Sequence, residues 1–293
     1  MLNLAPKKKA FVVGEKHYDL GNSLFQAMLD SETMSYSCGY WHNASTLDSA
    51  QKAKLDLICR KLHLQPGQRL LEIGCGWGSF AHYATTNYGV EILCLTISKE
   101  QATLAKERCK DLPVEIRLQD YREVQGGFDH LVSIGMFEHV GTKNYRTYME
   151  IAKRCLKPNG LFLLHTIGRQ KSFLYTPDPW LRKYIFPVGE IPTRKQIYNN
   201  SDGLLKIRHW HEFGEYYDPT LMAWHQRFVK AWDELRVEYG PQMNGQFRRM
   251  WEYYLLSCAG SFRVGDARLW QVILSHPEAQ KSYSGPIWKS CFA

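Results

Sequence analysis

A glycine-rich turn directly after an apolar segment constrains the fold of this 293-residue chain more than any other feature. Residues 70–78 read LLEIGCGWG, with glycine at Gly74, Gly76 and Gly78. Glycine at this spacing lets the backbone turn tightly and approach a ligand closely. A dinucleotide-binding fingerprint would place its third glycine at Ser79, and a phosphate-binding loop would need a Gly-Lys-Ser/Thr sequence that is absent. A tight turn without a ligand is the remaining alternative.

Short apolar segments alternate with helical patterns after this turn. Such alternation predicts an α/β fold, in which helices cover both faces of a parallel sheet through right-handed crossovers. Ligands bind at the carboxyl ends of the strands of such sheets, and the turn follows the first strand, which favours a ligand-binding turn. The predicted strands are 69–73, 91–96, 114–118, 128–134 and 161–167, and the predicted helices are 79–87, 99–111 and 144–156.

The remaining segments are arranged around this sheet. Residues 1–16 have no periodicity and are predicted to be a leader, and residues 17–293 a single domain. The clearest helix is 46–64, in which a spacing of three and four residues relates Leu47, Ala50, Ala53, Lys54, Leu57, Ile58 and Leu62. The expected parts of the domain are a helical N-terminal part at 17–65, a sheet core at 66–168, a proline- and aromatic-rich lid or insertion at 170–218, and C-terminal helices with a last strand at 219–293.

The chain has a net charge of +8 and a pI near 9.0, which suits nucleic acid, an anionic membrane or an acidic carrier protein. No basic run is longer than residues 7–9, so we predict no nucleic-acid partner. No apolar run reaches the roughly 18 residues that a membrane-spanning helix needs, so membrane contact would be peripheral. The eight cysteines include no Cys-x-x-Cys pair and no secretory segment is recognised, which predicts a cytoplasmic protein without a metal site.

The segment at the turn resembles motif I of the class I S-adenosylmethionine methyltransferases, Glu-x-Gly-x-Gly-x-Gly, beginning at Glu72. The resemblance implies a Rossmann-like methyltransferase fold with S-adenosylmethionine as cofactor. At the end of the second strand, Thr96 and Gln101 stand where most of these enzymes have an acidic residue for the ribose, while Asp120 and Tyr121 would meet the adenine. The cofactor-binding residues that the resemblance implies are Glu72, Gly74, Cys75, Gly76, Gly78, Thr96, Gln101, Gln119, Asp120 and Tyr121.

Several further segments together resemble the cyclopropane fatty acid synthases and the related mycolic acid cyclopropane synthases, from about residue 17 to about residue 272. Each segment alone is a weak signal, and their occurrence together makes the resemblance specific. The first of them implies two more cofactor contacts, Tyr36 and Ser37. The segments are YSCGYW at 36–41, TISKEQ at 96–101, GMFEHVG at 135–141, LHTIG at 164–168 and YIFP at 184–187.

The resemblance implies a methylene transfer from S-adenosylmethionine to the cis double bond of an unsaturated acyl chain, in a phospholipid or on a carrier protein. The carbocation formed first would lose a proton to a bound bicarbonate ion and close to a cyclopropane ring. A weak anion held by hydrogen bonds suits this step, because a strong protein nucleophile would trap the cation. The implied holders of the anion are Cys38, Glu138, His165, Tyr217 and the Ile167 backbone. Cys258 also matches a cysteine of the family, although no step needs a thiol nucleophile.

Residues 180–187 are suited to contact with a lipid surface, because Trp180, Tyr184 and Phe186 alternate there with Arg182 and Lys183. The aromatic residues would lie at the headgroup level while the basic residues meet anionic lipid. Alternatively, the aromatic residues line an acyl pocket and the two charges face water. We therefore expect a peripheral membrane protein, and a homodimer is compatible with the sequence.

Two other functions stay open at this point. One is a plain C- or N-methyltransferase of the same family, and the other is a non-catalytic lipid-binding module on the same fold. Each candidate residue also has a structural interpretation. Cys38 would be a buried thiol, Glu138 a helix cap, His165 a core histidine and Tyr217 a packing residue of the lid.

Overall fold

The computed structural model describes residues 21–170, 178–187, 189–279 and 283–285. The leader predicted at 1–16, and residues 171–177 and 188 of the predicted lid, lie outside the described residues. The described chain forms one seven-stranded sheet. Its strands are β1 (Arg69–Ile73), β2 (Glu91–Thr96), β3 (Val114–Leu118), β4 (Phe128–Ile134), β5 (Leu156–Arg169), β6 (Lys206–Glu212) and β7 (Ala267–Ser275).

The strand order is β3-β2-β1-β4-β5-β7-β6. Strands β1 to β5 are parallel to one another, as predicted for the core at 66–168. Strand β7 lies antiparallel between β5 and β6. The order reverses between β1 and β4, and open α/β sheets bind ligands in the crevice at the carboxyl ends of such strands. The glycine turn follows β1 and therefore lies in this crevice.

Residues 206–212, which were predicted to belong to the lid, form the edge strand β6 instead. The sequence KIRHWHE does not alternate between apolar and polar residues, and most of its side chains are half-buried, as is usual at a sheet edge. Residues 157–160, which were predicted to form a turn, lie within β5. The pairing of β4 with β5 is irregular between Phe128 and His130, beside this predicted turn.

Nine helices of the described chain surround the sheet. Thr46 begins the second of them with a capping box to Ser49. None of the described helices combines the length and apolarity that a bilayer crossing requires. The helices are α1 (Asn22–Met28), α2 (Leu47–Lys61), α3 (Ser79–Tyr88), α4 (Lys99–Arg108), α5 (Tyr145–Cys155), α6 (Pro179–Tyr184), α7 (Arg194–Ser201), α8 (Tyr217–Tyr239) and α9 (Gly245–Arg263).

The two faces of the sheet carry separate cores, and a third cluster lies beyond them. Leu70 packs with residues of α2 and α3, whereas Leu71 packs with residues of α5, since successive side chains of a strand point to opposite faces. The third cluster is rich in aromatic residues and joins α1, α8 and α9. Trp77 of the glycine turn and Tyr217 of α8 both belong to it, so this cluster borders the crevice.

Candidate active site

Of the three alternate glycines in the turn, only Gly76 has open space where a side chain would begin. Gly76 has φ +54°, and a Cβ built there would meet nothing within 4 Å. A Cβ on Gly74 would lie 2.7 Å from Met136, and one on Gly78 would lie 3.3 Å from Ala105. Gly74 and Gly78 therefore serve close packing of the chain on itself, and Gly76 leaves room for a ligand.

A cavity at the ends of β1, β2 and β4 brings the predicted cofactor residues together. Gly78 is the exception, because it precedes α3 and faces α4 instead. Ser98, which was not predicted, also lines the cavity and accepts a hydrogen bond from the Gln101 N–H at 3.3 Å. The predicted residues that line it are Tyr36, Ser37, Glu72, Gly74, Cys75, Gly76, Thr96, Gln101, Gln119, Asp120 and Tyr121.

The side chains at the ribose and adenine positions are engaged with one another. The Thr96 hydroxyl donates to Gln101 Oε1 at 3.0 Å, so these two polar residues lie together where an acidic residue was absent from the sequence. The Asp120 carboxylate accepts hydrogen bonds from the Arg122 backbone and guanidinium, each at 2.9 Å. The Arg122 guanidinium lies over the Tyr121 ring, 5.0 Å from its centroid. Arg122 therefore orients both residues that were expected to meet the adenine.

Two buried charged residues face the same cavity. Burial raises the pKa of Glu72 to about 8 and lowers the pKa of Lys54 to about 8. Lys54 Nζ donates to the Ser37 hydroxyl at 3.0 Å, which links α2 to the predicted cofactor segment. Lys54 was missed as a site residue, although a lysine within the apolar face of a helix was the signal that could have identified it.

A second, mainly apolar cavity adjoins the first. Tyr36, Gly135 and His139 line both cavities, so the two meet at these residues. The Tyr36 hydroxyl is hydrogen-bonded to the Tyr254 hydroxyl at 2.7 Å, and its ring lies 5.1 Å from that of Trp224. The second cavity is lined by four of the predicted catalytic residues, Glu138, Ile167, Tyr217 and Cys258, and by apolar residues that include Leu181, Phe186, Trp224 and Phe262.

Glu138 lies in the short 3-10 turn after β4, at the junction of the two cavities. Its Oε1 accepts a hydrogen bond from the Ile167 N–H at 2.6 Å. Its Oε2 is buried and has no hydrogen-bond partner in the described part of the chain. Burial raises the pKa of Glu138 to about 7. The Ile167 backbone was expected to hold an anion, but its N–H already donates to Glu138.

Tyr217 begins α8 and stacks on Phe262, with ring centroids 4.4 Å apart. Burial is the main cause that raises the pKa of Tyr217 well above its usual range, and the proximity of the acidic groups of Cys38 and Glu138 raises it further. The phenol is therefore neutral and close to both residues. This position is compatible with both predicted interpretations of Tyr217, a packing residue and a site residue.

Cys38 and His165 are buried and are not among the residues that line the two cavities. Cys38 is fully buried, its thiol contacts the Gly39 carbonyl oxygen at 3.2 Å, and burial raises its pKa. His165 is 1% exposed, and burial is the main cause that lowers its pKa, so the imidazole is neutral. His165 Nδ1 lies 3.2 Å from Gln271 Nε2, while Nε2 has no partner among the described residues.

Cys258 lies on α9 and lines the second cavity. Burial raises the pKa of its thiol to about 12. Since the thiolate is the nucleophilic form of cysteine, this side chain is protonated and unreactive near neutral pH. Cys258 is half-buried on the cavity wall, and its protonated thiol agrees with the expectation that no step needs a thiol nucleophile.

Known proteins with the same architecture support one interpretation of these cavities. The sequence model of the mycolic acid cyclopropane synthetase family matches residues 5–272. The chain is 54% identical over 275 residues to the cyclopropane-fatty-acyl-phospholipid synthase of Escherichia coli strain K12, which covers 94% of this chain and 70% of that protein. The solved structure of the cyclopropane synthase MmaA2 from Mycobacterium tuberculosis has a TM-score of 0.84 at 30% identity and covers 93% of this chain and 99% of that one. The mycolic acid cyclopropane synthase CmaA1, complexed with SAH and CTAB, has a TM-score of 0.82 at 29% identity and covers 90% and 97%.

The fold and the cavity at the glycine turn define an S-adenosylmethionine-dependent transferase with a Rossmann-like sheet. The open space at Gly76 fits this cofactor, since a side chain there would fill the room that a ligand of the turn requires. The chain belongs to the mycolic acid cyclopropane synthetase family, and its relatives include a cyclopropane-fatty-acyl-phospholipid synthase.

Proposed function

We propose that this chain transfers a methylene group from S-adenosylmethionine to the cis double bond of an unsaturated acyl chain in a phospholipid, forming a cyclopropane ring. The observation that carries the proposal is the junction of two cavities at Tyr36, Gly135 and His139. The first cavity, lined by the glycine turn and polar residues at the strand ends, suits the cofactor, and the second, mainly apolar cavity suits an acyl chain. The junction would bring a methyl donor and a double bond together, which is the main requirement of such a transfer.

Bound S-adenosylmethionine supplies an electrophilic methyl group. The residues at the junction are suited to the cation that then develops on the acyl chain. The aromatic faces of Tyr36, Tyr217 and Phe262 stabilise a positive charge without forming a bond to it. The apolar walls exclude water, which would otherwise capture the cation. The Cys258 thiol is protonated and does not capture it either.

A bound bicarbonate ion would supply a weak base for the proton of the new methyl group. Two buried polar atoms support a site for such an anion, Glu138 Oε2 and His165 Nε2, because neither has a partner in the described ranges. With its pKa raised to about 7, Glu138 is readily available as a neutral acid. Its Oε1 then accepts from the Ile167 N–H, and its Oε2 hydroxyl donates to the anion.

The helix α6 supports substrate entry from a membrane surface. Leu181 and Phe186 line the apolar cavity, Arg182 borders it and is half-exposed, and Lys183 and Tyr184 are exposed. Lys183 Nζ lies over the Tyr184 ring, 4.9 Å from its centroid. This arrangement combines both interpretations of residues 180–187: the inner side chains contact the acyl chain, and the outer ones meet anionic headgroups.

The product identifies the reaction. We expect that labelled S-adenosylmethionine and vesicles of an unsaturated phosphatidylglycerol yield acyl chains that gain one CH2 and lose the double bond, as measured by mass spectrometry. The same phospholipid with saturated chains is the control and should take up no label. Label in a chain that keeps its double bond would indicate a plain methyltransferase, and label only in carrier-bound chains would exclude the phospholipid substrate.

Vesicle sedimentation tests the docking surface. The Arg182→Glu, Lys183→Glu double variant should bind anionic vesicles more weakly than the wild type, since each basic residue near such a surface contributes about 1 kcal/mol. The Lys230→Glu, Arg236→Glu variant changes the net charge equally on exposed positions of α8 and is the matched control. Equal loss of binding in both variants would mean that overall charge, not α6, directs the contact.

A further inference from the structure

A row of polar side chains crosses three strands behind the apolar cavity. His165 of β5 is the register partner of Gln271 of β7, and Gln271 is the register partner of His211 of β6. Directly paired residues on neighbouring strands project from the same face of the sheet. The three side chains are buried, with Gln271 fully so. Of these three residues, the proposed reaction uses only His165.

Lys61, the last residue of α2, extends over this row and is fully buried. Its Nζ lies 2.7 Å from Gln271 Oε1 and 2.8 Å from His211 Nδ1. No acidic residue forms an ion pair with it in the described part of the chain. A buried lysine without a carboxylate is costly, and well-packed apolar residues would serve stability at least as well. This cost points to a role other than packing.

The hydrogen-bond chemistry of lysine orients the whole row. Burial lowers the pKa of Lys61 well below its usual range, and its nitrogen donates to the Gln271 oxygen at 2.7 Å, so the Gln271 amide NH2 faces the opposite way. That NH2 lies 3.2 Å from His165 Nδ1, which must therefore accept. A neutral imidazole that accepts at Nδ1 carries its proton at Nε2. His165 Nε2 is the buried atom that has no partner among the described residues.

We propose that Lys61 and Gln271 are positioning residues that hold neutral His165 in the form protonated at Nε2, so that its free Nε2–H is a donor for the anion that accepts the proton. The proposal rests on the proposed function only in assigning His165 to that anion. Lys61 and Gln271 contact no reacting atom and act through the imidazole. The other end of the row is His211 Nδ1, which lies 2.8 Å from Lys61 Nζ.

The substitution Gln271→Glu reverses the polarity of the row with little change in shape. A carboxylate would accept from Lys61 and also from His165 Nδ1, so the imidazole proton would move to Nδ1 and Nε2 would become an acceptor. We expect kcat to fall roughly tenfold or more, with an unchanged dissociation constant for S-adenosylmethionine. If Gln271 served packing alone, the new ion pair with Lys61 would keep or raise the stability of the fold, and kcat would stay at the wild-type value.

Nitrogen-15 NMR of labelled histidine measures the imidazole form directly, with His165 assigned by its absence in His165→Asn. We expect Nε2–H in the wild type and Nδ1–H in Gln271→Glu. His130 is an internal control, because its Nδ1 accepts from the Leu161 N–H at 3.2 Å and has no contact with the row. Its signals should be the same in both proteins. Lys61→Met, which releases the Gln271 amide, should give a mixture of the two His165 forms and an intermediate kcat.

Two outcomes would overturn the proposal. One is a wild-type His165 protonated at Nδ1, and the other is a Gln271→Glu protein whose imidazole form changes while kcat stays at the wild-type value. A failure of the proposed function would appear differently. The wild-type protein would then show the Nε2–H form of His165 and yet produce no ring from unsaturated phospholipid.

Discussion

A methyl group added at Gly76 should remove cofactor binding with little other effect. Gly76 has φ +54° and lines the cofactor cavity, and its Cβ would point into open space. The left-handed backbone itself costs an L-residue about 1 kcal/mol. In Gly76→Ala the new methyl group also occupies space that the cofactor needs. We expect at least a tenfold weaker affinity, which corresponds to about 1.4 kcal/mol or more.

Gly67→Ala separates these two effects. Gly67 has φ +78°, has nothing within 4 Å of a built Cβ, and lies in the turn before β1, at the end of the strand away from the cavity. Both variants should therefore lose about 1 kcal/mol of stability, or roughly 2–4 °C in Tm. Only Gly76→Ala should lose affinity for S-adenosylmethionine in calorimetry.

Thermal shifts provide a second measurement of the same difference. At a ligand concentration of about one hundred times Kd, a single site stabilises the folded state by about 2.7 kcal/mol. The wild type and Gly67→Ala should show this gain with S-adenosylmethionine, and Gly76→Ala should show much less at the same concentration. Equal affinity in Gly76→Ala and the wild type would refute the assignment of the glycine turn to the cofactor.

Three further expectations follow from individual side chains. Glu138→Ala should lower kcat at unchanged cofactor affinity. Glu138→Gln should lower kcat less, because an amide still accepts from the Ile167 N–H. Equal losses of kcat in the two variants would contradict the neutral-acid role. Cys258→Ser should keep nearly the wild-type kcat, since the thiol pKa of about 12 excludes a nucleophile, and a tenfold loss would reverse this conclusion. Glu72 has a folded-state pKa of about 8, above its usual 4.5, so its contribution to stability is complete below pH 4.5 and is lost as the pH rises to about 8. Urea unfolding of Glu72→Gln should therefore show a smaller decline between pH 5 and 8 than the wild type, and identical slopes would exclude this titration.

The prediction of the fold from sequence was most successful where a local pattern was sufficient. Strands β1 to β4 coincide with the predicted strands, because each is a short apolar run bounded by turn residues. Strand β6 was missed because an edge strand needs no apolar alternation. The five-strand parallel order and its reversal between β1 and β4 agree with the family resemblance, while β6 and β7 join the sheet through antiparallel pairing that no local pattern specified.

The same division applies to the site. The predicted cofactor residues other than Gly78 line one cavity, because most of them follow strand ends that a parallel sheet brings to one edge. The predicted catalytic residues do not all line a cavity, since Cys38 and His165 are buried and line neither. Their roles stay predictions that the kinetic and spectroscopic experiments above address.

The sequence by itself determined the glycine turn, the apolar strands and the family, since these depend on residue types at short spacing. Only the tertiary structure decided that two cavities meet at Tyr36, and that Gln271 links Lys61 to His165. These residues are far apart along the chain, and the register of β5 against β7 together with the packing of α2 on the sheet brings them within hydrogen-bond distance. Such contacts result from long-range packing of buried surfaces, so the spacing of residues along the sequence does not predict them.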